Sequence, residues 1–248
     1  ASLDKEEFDG NKMKEMMVGR EVSGNYYRND NDSYEDEITL KAHCITTRKD
    51  LLCFNLELHK GEVLGIGGLS ECGMHTVGKA LFGYEKILDG KVTVGAKQTV
   101  VKNPETAIAN GIAYTSKDRD HESLGLAGSI RDNIASTGYY FNRIFGPIIS
   151  FGKEKKFVQN QIDTLELKCA SQYHSVNTLS GGNKQKVVFG KWIGSEADVL
   201  ILDCPTRGID IGVKASMYQL IYKMKKQGKS IILISEELPE LIVMSDRI

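Results

Sequence analysis

The chain has 248 residues, 41% of them hydrophobic and 26% charged, with a formal net charge of −1. A packed core is feasible at that length, as one generous domain or a core domain with a smaller satellite. The near-neutral charge leaves no electrostatic footprint for nucleic acid. No apolar run approaches the roughly 20 residues that a membrane helix needs, and no signal-peptide pattern is visible. The five cysteines, Cys44, Cys53, Cys72, Cys169 and Cys204, form no C-x-x-C pair. That spacing argues against a zinc site and fits a reducing cytosol. The chain opens on Ala1 rather than Met, so a longer parent chain is expected.

Ser2 to Arg20 reads as a short charged helix with Ser2 as cap and Phe8, Met13, Met16 and Met17 as its apolar members. Ser23 to Glu37 is almost entirely polar and reads as a flexible linker. Ile38 to Leu58 is β-rich, with Leu56 and Leu58 alternating against polar neighbours. Val63 to Gly67 is a short buried strand. The turn Gly68-Leu69-Ser70-Glu71-Cys72-Gly73-Met74-His75 follows and opens a helix that runs to about Phe82. Its spacing is that of a P-loop, G-x-x-x-x-G-K-[ST], with Gly68 and Gly73 in the glycine positions.

Asn103-Pro104 starts the next helix, Asn as cap and Pro at the first position. Ile112 to Thr115 is a strand leading into Ser116-Lys117-Asp118-Arg119. Asp120 to Tyr173 reads as helical. Ser129 and Asp132 cap one helix there, and Phe157, Val158, Ile162 and Leu165 line a face of another. Leu179-Ser180-Gly181-Gly182-Asn183-Lys184-Gln185 is a glycine-bearing turn opening a helix that Ser180 can cap. Backbone N–H groups and the helix dipole make such a start a phosphate site. Val199 to Asp203 is a wholly apolar run ending in an acid, the pattern of a buried parallel strand. Gly212 to Gln227 is amphipathic, with Val213, Met217, Leu220, Ile221 and Met224 on a core-facing stripe. Ser230 to Ser235 is another buried strand, followed by Glu236. Strands alternating with helices make an α/β fold built on a doubly wound parallel sheet, and ligands bind such sheets beyond the strand ends.

Leu179 to Gln185 resembles the signature motif of ATP-binding-cassette (ABC) ATPases, and Val199 to Asp203 resembles their Walker B strand. Pro205-Thr206-Arg207-Gly208-Ile209-Asp210 is similar to the sugar importers whose ATPase polypeptide carries two cassettes in tandem. Met17-Val18-Gly19-Arg20-Glu21 looks like the segment that joins the two. The resemblance runs from about Ile38 to the end of the chain and implies a P-loop ABC cassette. The expected parts are a mostly parallel sheet flanked by helices, a β-rich N-terminal part and a helical subdomain at about 120–185 that touches a membrane partner. It implies an inter-cassette helix and linker over 1–37, an ATPase domain over 38–248 that stops short of the family's C-terminal strands, and the second-cassette position. Implied cofactors are ATP and Mg²⁺. Implied partners are the first cassette of the same polypeptide or a dimer mate, transmembrane permease subunits and, indirectly, a solute-binding protein. The implied location is the cytoplasmic face of the cell membrane.

In that family two cassettes sandwich two ATP molecules, each site taking its P-loop and Walker B acid from one cassette and its signature from the other. The resemblance therefore divides the residues into two groups. The cis group is Gly68, Ser70, Gly73, Met74, His75, Lys117 and Asp203, with Asp203 as the Mg²⁺ ligand. Met74 stands where the family has the phosphate-binding Lys, and His75 where a hydroxyl holds Mg²⁺. Cys204 stands at the catalytic Glu position, Glu236 at the position of the His that senses the terminal phosphate, and Lys117 where a Gln or Glu is usual. The trans group, Ser180, Gly181, Gly182 and Gln185, matches the family. No aromatic residue near Cys44 to Arg48 offers itself to an adenine. Plainer expectations stand beside these: His75 as a surface histidine without a ligand, Cys204 as inert packing, Lys117 and Glu236 as solvated charges or a pair across the site. The leading expectation is a degenerate cassette with little hydrolysis of its own. A working ATPase with unusual residues and a non-transport interaction module of the same fold are the alternatives.

Overall fold

The structure, a computed structural model, describes residues 34–69, 71–141, 150–194 and 197–248. The expected N-terminal helix, most of the expected linker and Ser70 lie outside the described residues. Two four-stranded sheets organise the rest.

The first sheet is antiparallel. β1 (Glu35–Thr46) pairs with β2 (Phe54–Lys60) on one side and with β4 (Asp89–Val94) on the other, and β5 (Thr99–Val100) completes the order β2-β1-β4-β5. β1 begins inside the stretch expected to be linker. Its acidic start is tolerated because Glu35 and Glu37 face Lys60 across the ladder at 3.1 and 3.6 Å, on exposed ground. Leu40, Ala42 and Ile45 point inward. The period of two breaks between Ala42 and Ile45, where the register shifts and Cys44 takes a φ of 47°. That bulge resets which face the strand buries. The hairpin also brings Cys44 against Cys53, nine residues on, and the two form a disulfide. The cysteine spacing had pointed to a reducing compartment; strand pairing rather than spacing makes this bond, and Cys72, Cys169 and Cys204 stay free.

The second sheet is parallel, with the order β3-β8-β7-β6: β3 (Val63–Gly67), β6 (Ile112–Thr115), β7 (Val199–Asp203) and β8 (Ser230–Ser235). All four strands coincide with the apolar runs read from the sequence. β7 and β8 are buried along their whole length, which explains why they show no alternation. Asp246 and Arg247 add to the outer edge of β3: Asp246 N–H donates to Val63 O at 2.8 Å and Gly65 N–H to Arg247 O at 2.7 Å.

Helices pack on this frame. α1 (Met74–Leu81) follows β3, and α2 (Pro104–Ala109) starts on Asn103, whose side chain accepts from Thr106 N–H at 2.9 Å. The described residues from 117 to 179 are less helical than expected: a π turn at Arg119–Ser123, α3 (Ile130–Phe141), α4 (Phe151–Thr164) and a 3₁₀ turn at Val176–Thr178. α4 ends where Glu166 enters the left-handed region at φ 48°. Ser129 and Asp132 cap α3 reciprocally, at 3.0 and 3.2 Å, as a capping box does. α5 (Gly181–Ile193), α6 (Ile211–Lys226) and α7 (Leu238–Met244) complete the set.

Two apolar clusters form. The main one holds the strands, α1 and the expected α6 stripe of Met217, Ile221 and Met224. The smaller one gathers Ile130, Ile134, Val158 and Ile162 with Val187 and Val188 of α5. α5 also sends Phe189 and Trp192 into the main cluster, so it belongs to both. At its start a Cβ on Gly182 would lie 2.8 Å from Val213 Cγ2. Here glycine is required by how closely α6 approaches.

Three outcomes follow. Lys225 Nζ lies 2.8 Å from both carboxylate oxygens of Asp246, and the two side chains are only 3% and 5% exposed. Asp246 also accepts from Val63 N–H at 2.7 Å. Lys225→Met should cost about 3–5 kcal/mol in urea unfolding, because it strands a buried carboxylate; a loss under 1 kcal/mol would contradict this. Gly182→Ala should cost about 1–3 kcal/mol through overpacking, and much of that loss should return when Val213→Ala is added. Glu240 is buried and accepts from Thr206 Oγ1 at 2.8 Å and from Ser235 Oγ. Burial raises its carboxyl above the usual range, opposed by those two hydroxyls. A raised folded pKa means stability is greatest below the unfolded value and is lost as pH rises through the folded one. Wild type should therefore gain unfolding free energy relative to Glu240→Gln as pH falls from neutral into the ordinary carboxylate range. Denaturant melts across that range would refute it by staying parallel.

Candidate functional site

The carboxyl ends of β3, β7 and β8 meet at one place, beneath the first turn of α1. The loop from β3 into α1 closes on Gly73, the residue before the helix, with φ 91° and ψ 0°. A side chain there would meet Asp50 Cβ at 2.9 Å, so both conformation and space demand glycine. Asp50 also accepts from Thr76 Oγ1 at 2.5 Å, which ties the β1–β2 connection to α1. Cys72 packs over Gly68, where a Cβ would come within 2.4 Å of its sulfur.

Met74 is 3% exposed and belongs to the main core. The side chain at the expected Lys position therefore turns inward, and the residue offers the loop only its backbone. Beside this loop lies a cleft of about 490 Å³ walled by Leu51, Leu52, Phe54, Gly73 and Met74. Phe54, paired with Ile45 across the hairpin, thus reaches the cleft from the other strand. Only strand pairing brings it there, so no local signal could have found it.

His75 is not a surface histidine. Its Nδ1 lies 2.7 Å from Asp203 Oδ1 and its Nε2 lies 3.4 Å from Glu236 Oε1, with the side chain 13% exposed. The imidazole therefore sits between two carboxylates. Asp203 is fully buried and also accepts from Tyr114 Oη at 3.3 Å. Burial raises the Asp203 carboxyl, and the charges of His75 and Lys117 oppose that rise. Burial also raises the Tyr114 hydroxyl, with Asp203 adding to the effect.

Cys204 follows Asp203 at φ 48° and is 7% exposed. Its thiol is pushed up to about 12 by burial first and by the charges of Asp203 and Glu236 second, although the Glu236 backbone N–H bonds its sulfur. Such a thiol is protonated at neutral pH, so on its own it is neither nucleophile nor base there. Lys117 is exposed beyond β6 and makes no ion pair with Glu236 among the described residues. Glu236 faces His75 instead, which answers the expectation of a Lys117–Glu236 pair.

The second group lies at the start of α5. Ser180 occupies the cap position, but its hydroxyl does not cap the helix; it accepts from Asn183 Nδ2 at 3.0 Å. The helix start therefore keeps N–H groups without a side-chain cap. Gly181 lies under Arg119, whose Nη2 would be 3.1 Å from a Cβ there, and Arg119 Nη1 donates to Arg207 O at 2.8 Å. Gln185, in the second turn of α5, is 3% exposed. Among the described residues no hydrogen bond or ion pair joins Ser180, Gly181, Gly182 or Gln185 to His75, Asp203 or Glu236.

Comparison with known proteins bears on the fold and the family. The ABC transporter family model matches residues 51–207. The ribose import ATP-binding protein of Shouchella clausii is 37% identical over 233 residues, covering 94% of this chain and 46% of that protein. The galactose/methyl galactoside import ATP-binding protein of Clostridium tetani is 37% identical over 236 residues, with the same two coverages. The chain thus spans about half the length of these relatives. An ATP-binding cassette solved as a dimer in a post-hydrolysis state with ADP and Pi superposes with a TM-score of 0.70 at 18% identity, covering 84% of this chain and 96% of that one. A nucleotide-free cassette from an ABC transporter superposes at 0.65 and 19% identity, covering 84% and 85%. The fold is the P-loop ABC cassette, and the chain belongs to the ABC transporter family.

Proposed function

We propose that this chain is the nucleotide-binding cassette of an importer for sugars or similar small polar solutes, acting as the second cassette of a tandem ATPase. Its own site is degenerate, and its signature turn completes the ATP site of the first cassette or of a dimer mate. The observation behind this reading is the His75 ring between Asp203 and Glu236. In the family a hydroxyl and an acid hold Mg²⁺ there, whereas here an imidazole fills the space. Mg²⁺ selects hard oxygen donors in octahedral array, and a nitrogen–sulfur–carboxylate set does not fit it. With Met74 turned into the core, no ammonium reaches the phosphates. With Cys204 a protonated thiol, no carboxylate polarises a water. Phosphoryl transfer depends on those electrostatic contributions.

The start of α5 has the complementary character. Its N–H groups and the helix dipole suit an anion, and Ser180 stands exposed beside them. The names of the relatives support import of ribose or galactosides as the solute class, and the half-length match supports one cassette of two. No helix among the described residues is long and apolar enough to cross a membrane. In this reading the cassette acts on transmembrane permease subunits from the cytoplasmic face of the membrane, with a solute-binding protein acting through them, as the import function named for the relatives suggests.

The test is ATPase rate and uptake per assembled transporter. Ser180→Arg should cut turnover by on the order of 100-fold or more, since it blocks a phosphate-facing helix start. Cys204→Ser should leave turnover within about 2-fold, because that position has no transition-state interaction to lose. Normal turnover in Ser180→Arg together with loss in Cys204→Ser would reverse the assignment and make this cassette's own site the working one.

A further inference from the structure

The residues that do not suit Mg²⁺ suit another kind of ion. We propose that His75 Nδ1, Asp203 and Cys204 Sγ form a three-ligand site for a borderline divalent metal of the Zn²⁺ class, with Glu236 orienting the histidine from behind. Their donor atoms lie within 4.8 Å of one another, on α1, at the end of β7 and just beyond it. Zn²⁺ binds imidazole and carboxylate at about 2.0–2.2 Å and thiolate at about 2.3 Å, so its donors stand roughly 3.3–3.8 Å apart. His75 and Asp203, hydrogen-bonded at 2.7 Å, have to open by about 0.6 Å to admit the ion between them. The thiol has to close by about 1 Å at most. A nitrogen, a sulfur and one carboxylate select Zn²⁺, or Co²⁺ in its place, over Mg²⁺.

A second observation points the same way. His75 Nε2 is a buried polar atom with no hydrogen-bond partner, and it lies 3.4 Å from Glu236 Oε1. If Nδ1 carries the only ring proton, toward Asp203, the Nε2 lone pair faces a carboxylate. A metal on Nδ1 removes this clash by moving the ring proton to Nε2, where Glu236 accepts it. Carboxylate–histidine–metal arrangements fix the tautomer and orientation of a ligand in this way. The charges also balance: the Asp203 carboxylate and the Cys204 thiolate neutralise the ion, and the thiol proton leaves to solvent. Three protein ligands leave a fourth position for water or a phosphate oxygen. The absence of a C-x-x-C pair had argued against zinc; this set is built from distant positions and needs no such pair.

The experiment uses the purified protein, stripped with EDTA, without nucleotide and without thiol reductants, so that Cys44–Cys53 stays paired. Co²⁺ is titrated first and then displaced with Zn²⁺. One equivalent of Co²⁺ should give intense tetrahedral d–d bands and a near-ultraviolet thiolate charge-transfer band. Zn²⁺ should displace it and excess Mg²⁺ should not. Cys204→Ser should abolish the charge-transfer band, and a Cys72→Ser/Cys169→Ser variant should keep it. His75→Ala and Glu236→Gln should each weaken Zn²⁺ binding by about 10-fold or more; these two decide the matter should Cys204→Ser not fold. A pale octahedral spectrum, a band that survives Cys204→Ser, or Zn²⁺ affinity unchanged in His75→Ala would overturn the site. Since no nucleotide is present, any of these results leaves the signature-donor reading standing.

Discussion

The pairing of β7 with β8 is the constraint on which the rest of this molecule depends. Both strands are buried throughout, and their register sets Asp203 beside Ile234. The ladder then continues one residue further, as Cys204 N–H donates to Ile234 O at 2.8 Å. Apolar side chains on both faces hold the strands in place, because exposing them would cost about 25 cal/mol for each Å² of apolar surface. The same burial places the Asp203 carboxyl and the Cys204 thiol where water cannot solvate them, beside the exposed Glu236. Charges brought there must be paired or shifted, and the raised Asp203 carboxyl and the His75 contact are the two consequences.

Helix α5 is the second organising element, and its importance comes from serving two cores at once. Val187 and Val188 face the smaller cluster, while Phe189 and Trp192 face the main one. The helix therefore cannot shift against either cluster without disturbing the other. Its N-terminus carries the signature turn, close against Val213 of α6 and under Arg119. A turn placed there is tied both to the sheet and to the α3–α4 unit. That coupling is what a cassette requires if motion at a nucleotide is to reach another surface.

The two anion-related features differ in their physics. At α5 the backbone supplies partial positive charge with no side-chain cap competing for it. At α1 the loop has the turn geometry of a P-loop, but the side chains around it carry carboxylates, a thiol and an imidazole. Turn geometry alone does not make a phosphate site; the charge around it decides. One chain thus keeps the shape of a cassette while its two glycine-bearing turns sit in different electrostatic surroundings.

Much of this was legible in the sequence. Four apolar runs named β3, β6, β7 and β8, because a fully buried parallel strand has to be continuously apolar. The Asn103 cap and the Ser129–Asp132 pair were readable because caps act over three residues. The signature and Walker B stretches identified the family because each is local and contiguous. Contacts across strands were not readable. His75 meets Asp203 over 128 positions, Cys44 bonds Cys53 because a hairpin with a bulge brings them together, and Phe54 reaches the cleft by the same hairpin. Ser180 sits at a cap position yet does not cap, and Gly182 is needed for the approach of Val213 rather than for its own flexibility. Local pattern is set by the period and polarity of neighbouring residues, and the sequence by itself determined that much. Which side chains share a buried site depends on strand register and helix approach, and only the tertiary structure decided those.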